Sequence, residues 1–259
     1  MRKTFLSVLG ALFLGGLLCG PLCRDVEGQA LDDVMDMYYK AHGGLDKLKA
    51  VTAIKMSGKL FIPAQGLELP TVRWQKAPDK LRVETEIQDK KVIQGFDGRT
   101  AWWLNPMLAP GAQEMPQEQA ALFREQAEFA DPLVAFKEKG GKLELLGREE
   151  LDGKPAFKLR LTKADGKEIY FYLDAESGVG LKSSRAMTAG DAASMAEIIY
   201  TDYRPVDGQL VPFVIENRTG GKTQARLVLG TVELNPAMDD SLFSMPVKKD
   251  APKAQGRKK

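Results

Sequence analysis

Few residues in this chain have the types and spacing that covalent chemistry requires. His42 is the only histidine among 259 residues, which excludes a metal site built on two imidazoles, and there is no His-Glu-x-x-His pair. No Gly-x-Ser-x-Gly elbow frames a serine nucleophile, and no glycine-rich phosphate loop ends in its lysine. Gly178-Val179-Gly180 lacks the third glycine of a dinucleotide fingerprint and follows Ser177 in what reads as a hairpin. The adjacent acids Glu149-Glu150 and Asp239-Asp240 point apart on a strand or loop and read as solvated edges, not as an acid and base pair. His42 sits in the last turn of a helical stretch, where it complements the helix dipole. The sequence therefore predicts a binding protein and no enzyme, with no catalytic residue, no metal and no cofactor.

The two cysteines, Cys19 and Cys23, belong to an N-terminal segment of a different kind. Arg2 and Lys3 precede a charge-free apolar run from Phe5 to Leu18, and Gly28-Gln29-Ala30 offers the small-x-small pattern of a signal peptidase site. A membrane-spanning helix wants about 18 or more apolar residues, and Pro21, Arg24, Asp25 and Glu27 end this run early. Residues 1–30 are thus predicted to be a cleaved leader that exports the chain. Leu18 and Leu22, ahead of the two cysteines, disfavour lipidation. Cleavage removes every thiol and with it disulfides, thiolate ligands and cysteine nucleophiles. It also leaves 37 − 3 = 34 basic against 35 − 2 = 33 acidic residues, so no bulk charge draws the protein to nucleic acid.

What remains must be positioned by secondary structure. Ile54, Met56, Leu60 and Ile62 alternate with polar neighbours, as do Leu81, Val83 and Ile87, the period of strands with one dry face. Val72 and Trp74 share a face between them, and Val92-Ile93 and Ala101–Leu104 follow. The second half is punctuated by Asp152-Gly153, Asp165-Gly166 and Asp207-Gly208, strong hairpin signals. About ten or eleven antiparallel strands are expected, enough to curl into an incomplete barrel. Leu31, Val34, Met35 and Tyr38 mark a helix closed by Gly43-Gly44. Pro116 opens a second helical region, with Leu122, Gln126, Phe129, Leu133 and Phe136 along one side and Asp131-Pro132 restarting it. The fold class is mainly β with helices: residues 31–247 form one domain whose helices lie as a lid over the sheet. Residues 248–259, with six cations and Asp250 alone, are expected to be a disordered basic tail, able to touch a membrane surface.

Lys76-Ala77-Pro78, Leu81-Arg82-Val83-Glu84 and Asp97-Gly98-Arg99-Thr100-Ala101-Trp102-Trp103-Leu104-Asn105-Pro106 resemble stretches of the LolA-like outer-membrane lipoprotein carriers. Tyr203–Gly208 and Val211-Pro212 are similar to the related outer membrane lipoprotein-sorting proteins. The resemblance implies a half β-barrel with a helical lid over a hydrophobic cavity that carries lipoprotein acyl chains or lipid across the periplasm. It also implies an inner-membrane donor complex, an outer-membrane acceptor and no cofactor. Those carriers have an arginine just before the proline, part of a polar latch between sheet and lid. Here Ala77 stands in that place, and Arg73 and Arg82 are the candidates to replace it.

Each CH₂ withdrawn from water gains about 0.8 kcal/mol, so acyl chains cannot cross an aqueous space unshielded. The expected lining is Trp74, Phe96, Trp102 or Trp103 from the sheet and Leu122, Phe129, Leu133 and Phe136 from the lid. Trp102 and Trp103 are adjacent on a strand, so only one of them faces the cavity. Two other readings use the same fold: a regulator like those that restrain a membrane anti-sigma factor, and a lipid-modifying enzyme, which needs a polar cluster inside the cavity.

Overall fold

The computed structural model describes residues 22–189 and 192–246, with side chains described from Ala30 onward and left aside for residues 188–193. The leader up to residue 21 and the basic tail from 248 lie outside these bounds.

Two helices, α1 (Leu22–Ala41) and α2 (Leu45–Ala50), open the described chain. The first meander is β1 (Ala53–Ile62), β2 (Leu67–Lys76), β3 (Lys80–Ile87), β4 (Lys90–Phe96), β5 (Ala101–Leu104) and β6 (Ala112–Glu114). Helices α3 (Gln117–Ala127) and α4 (Pro132–Ala135) lead into the second. That one comprises β7 (Lys142–Leu151), β8 (Lys154–Thr162), β9 (Glu168–Asp174), β10 (Gly180–Ala189), β11 (Ala192–Val206), β12 (Gln209–Thr219) and β13 (Lys222–Leu234). All thirteen strands form one antiparallel sheet in the order β6-β5-β4-β3-β2-β1-β13-β12-β11-β10-β9-β8-β7, and β6 and β7 do not pair, so the barrel stays open.

The strand count exceeds the ten or eleven expected. β6, β7 and β10 escaped because β6 has only three residues, β7 carries Gly147 and an acid pair, and β10 buries the small polar Ser183 and Ser184 where an apolar alternation would have been read. Helix α1 likewise starts before Leu31: Leu22–Gln29 contains no proline, and Gly28 alone costs only about 1 kcal/mol relative to alanine.

Register assigns every side chain to a face. Gln75, Leu81, Phe96 and Ala101 are successive cross-strand partners, and Met56, Arg73, Val83, Gln94, Trp103 and Gln113 form the next row on the same face. All four helices lie on this side. Val34, Met35 and Tyr38 of α1 pack with Leu133 on Leu143, Phe157, Leu159, Leu161 and Leu173. Ala120, Phe123 and Ala127 of α3 pack on Leu81, Phe96, Ala101 and Met115. These are two separate cores on one sheet.

The sheet is strongly curled. Helix α3 lies on β3, β4 and β5, yet its Glu125 reaches Arg185 of β10 at 3.0 Å. From β3 to β10 is six strand steps, about 29 Å in a flat sheet at ~4.8 Å per step, which one ion pair cannot span.

On the opposite face, β2, β3 and β5 are crossed by a strap, residues 236–244, ending in a 3-10 turn at Asp240–Phe243. Lys76 Nζ donates to Met238 O, Arg82 to Leu242 O and Trp102 Nε1 to Phe243 O at 2.8 Å. Phe243 and Trp102 are fully buried.

Candidate functional site

Helices and strap divide the expected lining residues between them. Trp103, Phe96, Leu122, Leu133, Phe136 and Phe129 belong to the helix-bearing side. Trp74 and Trp102 do not: Trp74 is paired with Lys55 and Arg82, and Trp102 with Gly95 and Glu114, in the row that faces the strap. Of the adjacent tryptophans, then, Trp103 is the inward one. Phe96 and Leu133 are core residues, each in one of the two clusters, and Phe136 packs against the α1 cluster. The apolar stripe of α3 is Ala120-Phe123-Ala127, one step out of phase with the expected Leu122–Gln126 line. Leu122 is 58% exposed, and Phe129 follows the helix, its N–H bonded to Pro78 O at 3.1 Å.

Between the two cores the floor of the sheet has apolar side chains that no helix covers. Met56, Leu60, Ile198, Ile215 and Leu227 are all half-buried, on strands at the centre of the sheet. Beyond Arg73 and Val83, which continue the Met56 row across β2 and β3, an open pocket of about 330 Å³ lies beside α3, lined by Gln94, Trp103, Met115, Gln119, Leu122, Phe123 and Gln126. That volume is near the lower limit of small-molecule sites, about 300–1,000 Å³.

The two ends of the curled sheet differ. At one end chain segments close over it: Phe129 bonds Pro78, and Gly43 lies against Gly208 and Gly178 against Met37 so closely that a Cβ on either glycine would clash with backbone. The other end carries the tips of the β1–β2, β3–β4 and β5–β6 hairpins. Here Leu67, Met107 and Leu108 are exposed, and Met187 and Met195 are exposed near the same end of β10 and β11.

The helices are held by a small set of polar contacts. The guanidinium of Arg73 donates to Gln126 O at 2.8 Å, and Gln75 Nε2 reaches the carbonyls of Gln126, Ala127 and Glu128 at 3.4, 3.3 and 3.2 Å. The last carbonyls of a helix lack intrahelical partners and carry its negative end, so a cation and an amide rising from β2 suit the end of α3. Burial pulls the Arg73 guanidinium down to about 10, still charged at neutral pH, and no described carboxylate contributes to its environment. Arg73 thus joins the sheet to a helix. Arg82 does not, since it faces the strap and pairs with Glu84.

A second tie joins α1 to α4. The Tyr38 hydroxyl donates to Asp131 Oδ2, while Asp131 Oδ1 caps α4 by accepting from Leu133 N. Burial first, and the neighbouring Asp131 second, push the Tyr38 phenol well above its ordinary range. His42 packs against Tyr38 with ring centroids 4.4 Å apart and the planes tilted by 42°, its Nδ1 2.8 Å from Tyr38 O. Tyr203 donates to Gly180 O and Tyr200 lies 3.3 Å from the Ser183 hydroxyl. These polar groups are spent on joining elements. Among the described residues no three potential metal ligands cluster, and no described helix is long and apolar enough to cross a membrane.

No family model matches the sequence, and no curated protein matches it. The fold itself is recognisable: an open, helix-lined α+β half-barrel of the LolA-like type. It is similar to a LolA superfamily protein from Nitrosomonas europaea, with TM-score 0.55 and 14% identity over 82% of this chain and 96% of the other. A putative outer membrane lipoprotein-sorting protein domain from Vibrio parahaemolyticus gives 0.53 and 13% over 82% and 94%. A DUF1329 family protein from Desulfovibrio piger gives 0.52 and 10% over 82% and 96%. At such identities the likeness establishes the fold.

Proposed function

We propose that this protein is a periplasmic carrier that shields lipoprotein acyl chains or other apolar envelope cargo between its helices and the curled sheet. The observation that carries this reading is the uncovered apolar floor of Met56, Leu60, Ile198, Ile215 and Leu227, left half-buried between two complete cores. A protein closing its own core would cover these side chains. A sixteen-carbon chain lying there gains about 13 kcal/mol at 0.8 kcal/mol per CH₂ if fully withdrawn from water.

The open end, with Leu67, Met107, Leu108, Met187 and Met195 at its rim, is where cargo enters and leaves. The pocket of about 330 Å³ admits part of such a chain, and the remainder requires α3 to lift from the floor. The Arg73 and Gln75 contacts set how readily it lifts. Transfer partners are a donor at the inner membrane and an acceptor at the outer, and the leader of residues 1–30 supplies export. The test is mass spectrometry of lipid co-purified with the mature protein from periplasm. Bound acyl species are expected, and protein recovered free of lipid that also takes up no added fatty acid overturns the carrier.

A further inference from the structure

The pocket beside α3 has a composition that a plain acyl chain does not call for. Trp103 forms its floor, and its direct cross-strand partners on both sides are glutamines, Gln94 on β4 and Gln113 on β6. Partners of this kind have Cβ atoms about 4.5–5.5 Å apart and share a face. From above, α3 adds Gln119, Leu122, Phe123 and Gln126, spaced i, i+3, i+4 and i+7 on one side of the helix. Gln113 is exposed and outside the lining; of the three glutamines that line the pocket, Gln94 is half-buried and Gln119 and Gln126 are exposed, and among the described residues none of their side-chain amides is engaged in an intramolecular hydrogen bond, in contrast to that of Gln75. The lining contains no charged residue.

A half-buried indole ringed by planar amides is a platform for a ligand with one apolar face and several hydroxyls. Each amide offers two donors and a two-lone-pair acceptor, which suits vicinal hydroxyls that both give and accept. The indole meets the C–H face of a ring, and the absence of charge removes any advantage for phosphate, carboxylate or ammonium heads. We infer that this pocket binds a neutral polyhydroxylated group, a sugar ring or glycerol unit, and that in the carrier it holds the head of a neutral glycolipid or glyceride whose chains lie along the floor of Met56, Ile215 and Leu227. The identification of the head rests on the carrier reading only for the position of the chains. The pocket itself can be tested without it.

The probes are octyl β-glucoside below its micellar concentration, methyl glucoside, and octanoate as a chain of equal length with a charged head, titrated into the full mature chain by calorimetry. Octyl glucoside is expected to bind at least tenfold more tightly than octanoate. In a Gln94→Leu/Gln126→Leu variant that ratio is expected to fall to near one, because the amides are lost while the apolar wall is kept. Trp103→Tyr, which preserves a platform, retains the preference, and Trp103→Leu loses it. Binding of methyl glucoside alone assigns the site to free sugar, and binding of the octyl compound alone assigns it to a lipid-linked head; both support the polyhydroxyl assignment. Equal affinity for glucoside and octanoate in the wild type, or an unchanged ratio in the glutamine variant, overturns it while leaving the carrier standing. Failure of all three probes overturns the pocket and the carrier together.

Discussion

The guanidinium of Arg73 and the carbonyl oxygen of Gln126 meet at 2.8 Å, joining the floor of the sheet to the last turn of the helix that lies over it. This contact and those of Gln75 are the polar ties between α3 and β2, and lifting α3 must break them and also draw Ala120, Phe123 and Ala127 out of the second core cluster, while the α1 cluster stays intact. Its inner side is Ala120, Phe123 and Ala127, two of them small, so most of the apolar cost of lifting falls on Phe123.

Replacing Arg73 with methionine keeps most of the stem and removes the charge. A hydrogen bond involving a charged group contributes about 1.5–3 kcal/mol, and about 1.4 kcal/mol is a factor of ten in an opening equilibrium. Hydrogen exchange of the α3 amides should therefore quicken by about tenfold or more in Arg73→Met, with the amides of β8 and β9 unchanged. Unaltered exchange in α3 would show that the helix is held by packing alone.

Leu122 and Phe123 are neighbours in sequence with opposite fates, one 58% exposed beside the pocket and the other 4% exposed in the core. Leu122→Asp should lower fatty-acid affinity by about tenfold, consistent with losing ~1.4 kcal/mol of apolar contact, and shift the melting temperature little. Phe123→Ala should cost about 3–5 kcal/mol of stability. Equal destabilisation by both changes would mean that Leu122 is a core residue and the floor is closed.

That contrast also shows where the sequence could be read and where it could not. The alternation in Ile54–Ile62 and Leu81–Ile87 exposed both strands and their dry face, because apolar and polar residues differ strongly at period two. Adjacency of Trp102 and Trp103 required opposite faces, yet which one turned inward depended on the strap, and the strap has no strand or helix period: Phe243 is the one aromatic in a short stretch of mixed apolar and acidic residues. The true stripe of α3 was invisible because two of its three members are alanines, weaker in hydrophobicity than the exposed Leu122. Arg73 was hidden as well, because Val72 and Trp74 mark the opposite face of β2 as the apolar one and the row of Thr71, Arg73 and Gln75 reads as its wet side.

Gly95 and Trp102 form a fitted pair on the strap side. A Cβ at Gly95 would fall 2.3 Å from the indole ring, and the ring is pinned by its bond to Phe243 O. With strap and sheet on either side the indole has nowhere to shift, so Gly95→Ala should cost about 1–3 kcal/mol or more and alter the near-ultraviolet circular dichroism of the tryptophans. A variant as stable as the parent, with an unchanged spectrum, would mean that the strap yields readily.

The strap should be sensitive to acid through Asp240. Hydrogen bonds from Lys76 and Lys80 hold its carboxyl down at about 2, below the value of about 3.9 for an unfolded aspartate. A depressed folded value means that the folded state binds the proton less readily than the unfolded one. The contribution is then complete above about pH 4 and is lost as pH falls towards about 2. Asp240→Asn lacks it at every pH. The gap in melting temperature between parent and variant should be constant from pH 7 to about 5 and close steadily below about 4. Because other carboxylates act alike in both proteins, general acid unfolding cancels in this difference. A gap that persists unchanged to pH 2 would show that Asp240 does not anchor the strap through its charge.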